Sequence, residues 1–352
     1  MNECIDVHTH IVPENFPAYA GKGASVPWPS MAEAHACHRH VMISGKVYRT
    51  VADGCCSVPR RIEQMGEMQV TRQAISPMPE LLSYWLPLED AKAMIRFLNE
   101  EIARMISLAP ERFIGLGAVP MQDMDAALFE LDFLIEKLKF AGVEIASHVN
   151  GTSIGDPRFE PFFAAAERMG AAIFVHALRP AGKERIVGAF PEQAVCFPGD
   201  IGLACASMIT GGIAARHPKL RIAFSHGGGV MAMLLPRLVH AWNMFPKAKE
   251  SLSERPDVTA KRFFYDELVF SPSAVSFLID TFGNTQIVVG TDYPFALGDV
   301  TPLKSLSHLE NSTLAAVTSA NARRFLGLPA AARLSSRKTP RPPGRRRASA
   351  GR

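Results

Sequence analysis

The run Ile5-Asp6-Val7-His8-Thr9-His10 alternates apolar and titratable residues. In an extended strand successive side chains point to opposite faces, so Asp6, His8 and His10 are expected to share one face. Two imidazoles spaced this way can hold one ion, because a ring nitrogen ligates Zn²⁺ at about 2.0–2.1 Å. A His-x-His pair alone is weak evidence. Its weight comes from three other short apolar runs that also end in a titratable group: Phe174-Val175-His176, Phe224-Ser225-His226 and Gly290-Thr291-Asp292.

Working outward from these runs, short β-branched stretches alternate with longer segments of helical period, which is the pattern of repeated βα units around a parallel sheet. Eight strands are predicted, at residues 4–10, 70–76, 113–120, 142–148, 172–176, 221–226, 263–266 and 287–292. Helices are predicted at 60–68, 88–108, 123–140, 157–169, 201–216, 230–244, 272–282 and 314–326, with Asp123 and Asp156 as N-caps. The 352 residues match one α/β barrel with insertions. The fold class predicted is therefore an α/β protein, a (β/α)₈ TIM barrel. In such barrels the strand C-termini form the active face, so groups ending strands one, five, six and eight converge.

Two stretches break the alternation. Residues 11–59 hold Pro13, Pro17, Pro27 and Pro29 with several glycines, and are read as a long irregular insertion over the barrel mouth. From residue 329 onward Pro, Arg, Ser and Ala replace apolar periodicity. The domain is therefore expected to span 1–328, with 329–352 a disordered basic tail. Eight cations and no acid lie in 333–352, so the net charge of +4 becomes −4 for the rest of the chain. The tail is read as a solvated extension rather than a nucleic-acid-binding element.

Cys4, Cys37, Cys55, Cys56, Cys196 and Cys205 lack CxxC spacing, which favours reduced thiols and a cytoplasmic setting. No apolar run reaches membrane-spanning length, and no leader is expected. His35, Cys37, His38 and His40 have ligand chemistry but no ordered frame, so a second zinc site is not expected there. The Gly227-Gly228-Gly229 run is explained equally by a tight turn or by anion binding at a helix N-terminus.

Taken together, the segments 5–10, 174–176, 224–229 and Gly290-Thr291-Asp292-Tyr293-Pro294-Phe295 resemble the amidohydrolase-2 group, over about residues 3–327. Within that group the similarity is greatest to the aminocarboxymuconate semialdehyde decarboxylase family. The resemblance implies one Zn²⁺ per subunit held by His8, His10, His176 and Asp292, with a water on the metal and His226 beside it as acid or base. Two-metal relatives use a carboxylated lysine near the end of strand four. Here that region, Gly142-Val143-Glu144-Ile145-Ala146-Ser147-His148, has no lysine, which favours one metal.

The same resemblance implies that Arg49 binds a substrate carboxylate, for which a planar guanidinium is suited. It also implies that Arg237 is supplied by a neighbouring subunit, hence a homodimer. The chain departs from the family at Ala177-Leu178-Arg179-Pro180, where Arg179 is a candidate third carboxylate contact. The expected function is non-oxidative decarboxylation of an unsaturated or aromatic carboxylic acid. The alternative is hydrolysis of an ester, lactone, amide or C–C bond on the same barrel.

Overall fold

The computed structural model describes residues 3–21, 23 and 26–330. Residues 331–352, and with them nearly all of the expected disordered tail, lie outside the described residues.

Strands β1 (Ile5–Ile11), β2 (Pro29–Glu33), β3 (His38–Ile43), β4 (Lys46–Ala52), β5 (Arg72–Pro77), β6 (Phe113–Gly117) and β7 (Gly142–Ala146) come first in the chain. They are followed by the two-residue pair β8 (His148–Val149) and β9 (Thr152–Ser153), then β10 (Ala172–His176), β11 (Arg221–Phe224), β12 (Phe264–Asp266) and β13 (Ile287–Val288). Eight of these form one parallel sheet in the order β1-β5-β6-β7-β10-β11-β12-β13. Parallel bridges Asp6 to Val289 and Thr9 to Tyr293 join its last strand to its first, closing the (β/α)₈ barrel.

The eight predicted strands are all present; β6, β7, β11 and β13 stop short of the expected C-terminal ends, β10 and β12 end where expected, and β1 and β5 run one residue further. Regular pairing of β13 stops at Val288, and Asp292 adopts a left-handed backbone with φ 58°. Beyond Val288 its strand pairing with β1 is limited to the isolated bridges at Val289 and Tyr293.

Helices α1 (Val58–Glu67), α2 (Leu88–Leu108), α3 (Met124–Asp132) and α4 (Glu160–Met169) pack outside the strands. Ser57 caps α1, its Oγ accepting from the Arg60 amide, and Asp123 caps α3 by accepting from Ala126 N at 2.9 Å. Asp156 accepts from the Arg158 amide at the turn leading into α4. The segment expected as one helix over 123–140 is instead α3 followed by a π-helical stretch, Phe133–Lys137. The helix expected at 201–216 runs Phe197–Thr210 and breaks at Gly212, whose φ of 72° no L-residue adopts readily. Ile173, Val175, Phe162 and Phe163 sit in the apolar layer between strands and helices, all fully buried.

The insertion corrects the sequence reading. It is not irregular: β2, β3 and β4 form an antiparallel sheet in that order. The two-residue connection Ser44-Gly45 has positive φ at both positions (52° and 73°), as a type I′ hairpin turn requires. His38 and His40 lie on β3, where His40 Nδ1 is 3.0 Å from Thr50 Oγ1. Among the described residues no metal-sized cluster forms there.

Candidate metal centre

Each candidate side chain leaves its strand at the same end of the barrel. His8 and His10 come from β1, His176 is the last residue of β10, His226 follows β11 by two residues, and Asp292 follows β13 by four. His226 and Asp292 both have left-handed backbones, with φ 55° and 58°. For residues other than glycine this conformation is costly and is kept only where surrounding bonds impose it. The bonds are present: Asp292 N donates to His8 O at 2.9 Å, and Gly227 N donates to Asp266 Oδ1 at 2.7 Å.

The three glycines after His226 form a tight turn with φ 65°, 73° and 58°. A Cβ on Gly229 would lie 1.9 Å from Pro198 O. Close packing thus explains this run.

The imidazoles converge. Ring centroids of His8 are 5.1 Å from His10, 5.0 Å from His176 and 5.2 Å from His226, and His10 and His176 are 5.0 Å apart. Asp292 Oδ1 lies 3.4 Å from His8 Nε2, 3.1 Å from His10 Nε2 and 4.0 Å from His176 Nε2. Ligands about 2.0–2.1 Å from one ion are at most about 4.2 Å apart, so these spacings fit a shared cation.

Hydrogen bonding sorts the same atoms. His8 Nε2, His10 Nε2, His176 Nε2 and Asp292 Oδ1 are all buried without a hydrogen-bond partner. Such groups are costly to bury unless something satisfies them. On the opposite side of each ring Nδ1 is engaged: His8 with Asp266 Oδ2 at 2.7 Å, His10 with Pro77 O at 3.1 Å, and His176 with Ala177 O at 2.7 Å. An acceptor at Nδ1 fixes the proton there and leaves the Nε2 lone pair aimed inward, the arrangement of metal-ligating histidines. The four residues whose donor atoms all lie within 4.8 Å of one another are His8, His176, His226 and Asp292, while His10 makes its close approach to Asp292. His226 differs in that its Nδ1 is 2.9 Å from the Ser225 hydroxyl.

The electrostatics suit a cation. Burial lowers the His8 pKa, but Asp266 and Asp292 more than reverse this, raising it to about 10. Burial would raise Asp292, yet His10 and His8 hold it well below the usual carboxylate range. His176 is lowered by burial and then by neighbouring imidazoles, and His226 is lowered to about 4 for the same reasons. The carboxylates thus favour positive charge at the centre, while two of the imidazoles are held neutral.

Sequence reading missed the supporting carboxylates. Asp266, at the end of β12, bonds His8 on one oxygen and the Gly227 amide on the other. Glu144, on β7, bonds Ser76 Oγ and lies 3.4 Å from His10 Nδ1. Asp6 was grouped with His8 and His10 on one face, but β1 slips register against β5 between Asp6 and Thr9. The Asp6 carboxylate instead accepts from Thr291 Oγ1 at 2.7 Å and from His8 N at 3.1 Å. Position within predicted strand seven was the one available signal for Asp266.

The candidate arginines are placed differently from one another. Arg49 lies on β4, its Cζ 4.4 Å above the Phe295 ring, which stacks at 5.3 Å on His10. One nitrogen, Nη2, is 3.2 Å from Glu80 Oε1. Arg179 lies 3.3 Å over the Trp85 ring, beside a cavity of about 450 Å³ also lined by Tyr84, Ser147 and Asp200. Arg237 is exposed on the helix Met231–Met244, and its side chain shares no hydrogen bond or ion pair with any described residue. A single chain does not join it to the histidine cluster.

The family model described as Amidohydrolase matches residues 5–328. The chain belongs to the amidohydrolase family. One relative, 2-amino-3-carboxymuconate-6-semialdehyde decarboxylase of Dictyostelium discoideum, is 35% identical over 328 residues, covering 92% of this chain and 91% of its own. The fold of this amidohydrolase matches the crystal structure of Metarhizium anisopliae IDCase in apo form (TM-score 0.77, 19% identity, 92% and 97% of the two chains). It also matches dihydroxybenzoic acid decarboxylase from Polaromonas sp. JS666 with bound manganese and the inhibitor 2-nitroresorcinol (TM-score 0.71, 16% identity, 93% and 97%). The amidohydrolase barrel thus carries a metal site of three histidines and an aspartate. No described helix is long and apolar enough to cross a membrane, and all six cysteines are free.

Proposed function

We propose that this chain is a metal-dependent, non-oxidative decarboxylase acting on an unsaturated or aromatic carboxylic acid. The observation carrying the proposal is the convergence of four partnerless buried donor atoms, on His8, His10, His176 and Asp292, at the mouth of a barrel whose relatives are decarboxylases. Those four residues are the proposed ligands, and His226, whose Nδ1 is shared with Ser225, is the proposed acid or base. One Zn²⁺ per subunit is the proposed ion, because imidazole-rich sites favour zinc over the harder divalent cations. When bound, the ion supplies Lewis acidity beside the reacting carbon.

The chain's own groups supply the rest. Decarboxylation breaks the bond between the carboxylate carbon and its neighbour, leaving the electron pair on that neighbour while CO₂ departs. The neighbour then takes a proton; the proposed role of His226, neutral at rest, is to take up a proton from solvent as base and return it to that carbon as acid. Arg49 engages Glu80 through Nη2, and the remaining guanidinium N–H groups are proposed to hold a second carboxylate or another anionic group of the substrate. Arg179 lies beside the adjoining cavity as a further contact. Arg237, exposed and unpaired among the described residues, is assigned to the site of a partner in a homodimer. Free thiols agree with a cytoplasmic setting.

The test is turnover in ¹⁸O-water on a panel of unsaturated and aromatic carboxylates, with metal analysis. CO₂ release without ¹⁸O in the organic product is expected. Label entering that product would instead establish the hydrolase alternative. His226→Asn should keep about one ion and lose roughly 10²–10⁴ in turnover, whereas His10→Ala should lose the ion.

A further inference from the structure

Arg61, on α1, is fully buried, and none of its hydrogen bonds is to a carboxylate. Asp6 acts on this buried guanidinium only through space, and an apolar side chain of similar volume would fill the position at lower cost. Nη2 has no hydrogen-bond partner among the described residues, and the other two nitrogens make specific contacts. Nη1 donates to the His10 carbonyl at 2.9 Å and to the Gly54 carbonyl at 3.1 Å. Nε donates to Gln73 Oε1 at 2.8 Å. Its plane lies 4.7 Å from the ring centre of Tyr293, the residue after Asp292.

These contacts close a cycle. The His10 amide donates to the Tyr293 carbonyl at 2.8 Å, the Tyr293 ring packs on Arg61, and Arg61 returns to the His10 carbonyl. The Tyr293 hydroxyl is held by Gln64, one turn along α1 from Arg61. The fit is close, since a Cβ on Gly54 would lie 2.2 Å from the Tyr293 hydroxyl oxygen. His10 and Asp292 are thereby tied together through backbone and ring rather than through their own side chains. Of the histidine distances to Asp292 Oδ1, that of His10 is the shortest, at 3.1 Å.

We infer that Arg61 is a positioning residue for the metal site: it sets the separation of His10 and Asp292 and so raises affinity for the ion without touching it. The inference rests on the ligand set proposed above. A lysine cannot replace it, because one ammonium lacks the planar fork that serves two carbonyls, a side-chain amide and an aromatic face together.

The experiment compares Arg61→Met, Arg61→Lys and His10→Ala with the parent full-length chain. Arg96→Met serves as a control for loss of a partly buried arginine, its Glu130 pair lying between α2 and α3. Each is assayed for Zn²⁺ affinity by chelator competition, for the visible spectrum of its Co²⁺ form, and for melting temperature without metal. Arg61→Met is expected to weaken Zn²⁺ binding about 10–100-fold, as loss of groups that orient ligands does elsewhere, and to shift the Co²⁺ bands. Arg61→Lys should recover part of the affinity but not the parent spectrum, and it carries the comparison by itself if the Met variant does not fold. Arg96→Met should lower the melting temperature alone. Arg61 variants that melt earlier yet bind Zn²⁺ within twofold of the parent, with an unchanged Co²⁺ spectrum, would overturn the inference. Full Zn²⁺ affinity in His10→Ala would overturn the ligand set and the inference with it.

Discussion

His8 Nδ1 and Asp266 Oδ2 lie 2.7 Å apart with both side chains fully buried. The other Asp266 oxygen accepts from the Gly227 amide, directly after His226. One carboxylate thus orients a proposed ligand and steadies the turn that presents the proposed acid or base. Asp266→Asn is expected to lower metal affinity about 10–100-fold and to reduce turnover of the metal-saturated protein as well, because the His226 turn loses its charged acceptor. Metal titration and saturated rates of the same variant separate the two effects. A variant unchanged in both would refute the dual role.

Arg49 reaches the site by way of Phe295 and His10, and Glu80 engages only one of its nitrogens. Arg49→Ala should therefore act on substrate binding rather than on the metal. Losing a charge-assisted hydrogen bond costs about 1.5–3 kcal/mol, roughly a 10–150-fold rise in KM. Metal content should stay at the parental level. Arg49→Lys should restore only part of the loss, since it brings charge without the fork.

The barrel and most of the histidine cluster were legible because both are periodic signals. A short apolar run ending in His or Asp marks a strand and its C-terminal end together, so His176, His226 and Asp292 could be placed before any contact was known. The supporting groups carry no such mark. Asp266 differs from an ordinary buried strand end only through His8, which is 258 positions away, and Arg61 reads as a routine helix-surface cation until Tyr293 and the His10 carbonyl are brought against it. The insertion was misread for another reason. Prolines at 13, 17, 27 and 29 dominated its composition, and the Ser44-Gly45 hairpin signal between two β-branched runs was outweighed.

Arg237 is exposed on the helix Met231–Met244 and outside its own cluster, so a role in catalysis requires another subunit. Mixing Arg237→Ala chains with His226→Asn chains tests this directly. Each variant should be nearly inactive alone. Random pairing of two such chains in a twofold dimer makes half the dimers mixed, each with one complete site, so about one quarter of parental activity should return. No recovery, in a preparation shown to exchange subunits, would mean that the arginine does not act across an interface.

Glu267 gives the fold a pH dependence opposite to that of a salt-bridged acid. It is buried, one oxygen accepts from Ser305 Oγ and the other has no partner. Burial, followed by the nearby Asp266, raises its pKa well above the ordinary 4.5. Above that ordinary value the unfolded chain ionises Glu267 while the folded chain keeps it protonated, so the folded state binds more protons and loses stability as pH rises. The slope for one such group is about 1.4 kcal/mol per pH unit, continuing until the folded group itself ionises. Glu267→Gln keeps an acceptor for Ser305 and has no proton to lose. It should therefore be more stable than the parent, by a margin that is small near pH 4.5 and grows through pH 5, 6 and 7 in urea melts at fixed metal concentration. A margin that stays constant or shrinks over that range would show that Glu267 is ionised in the folded protein.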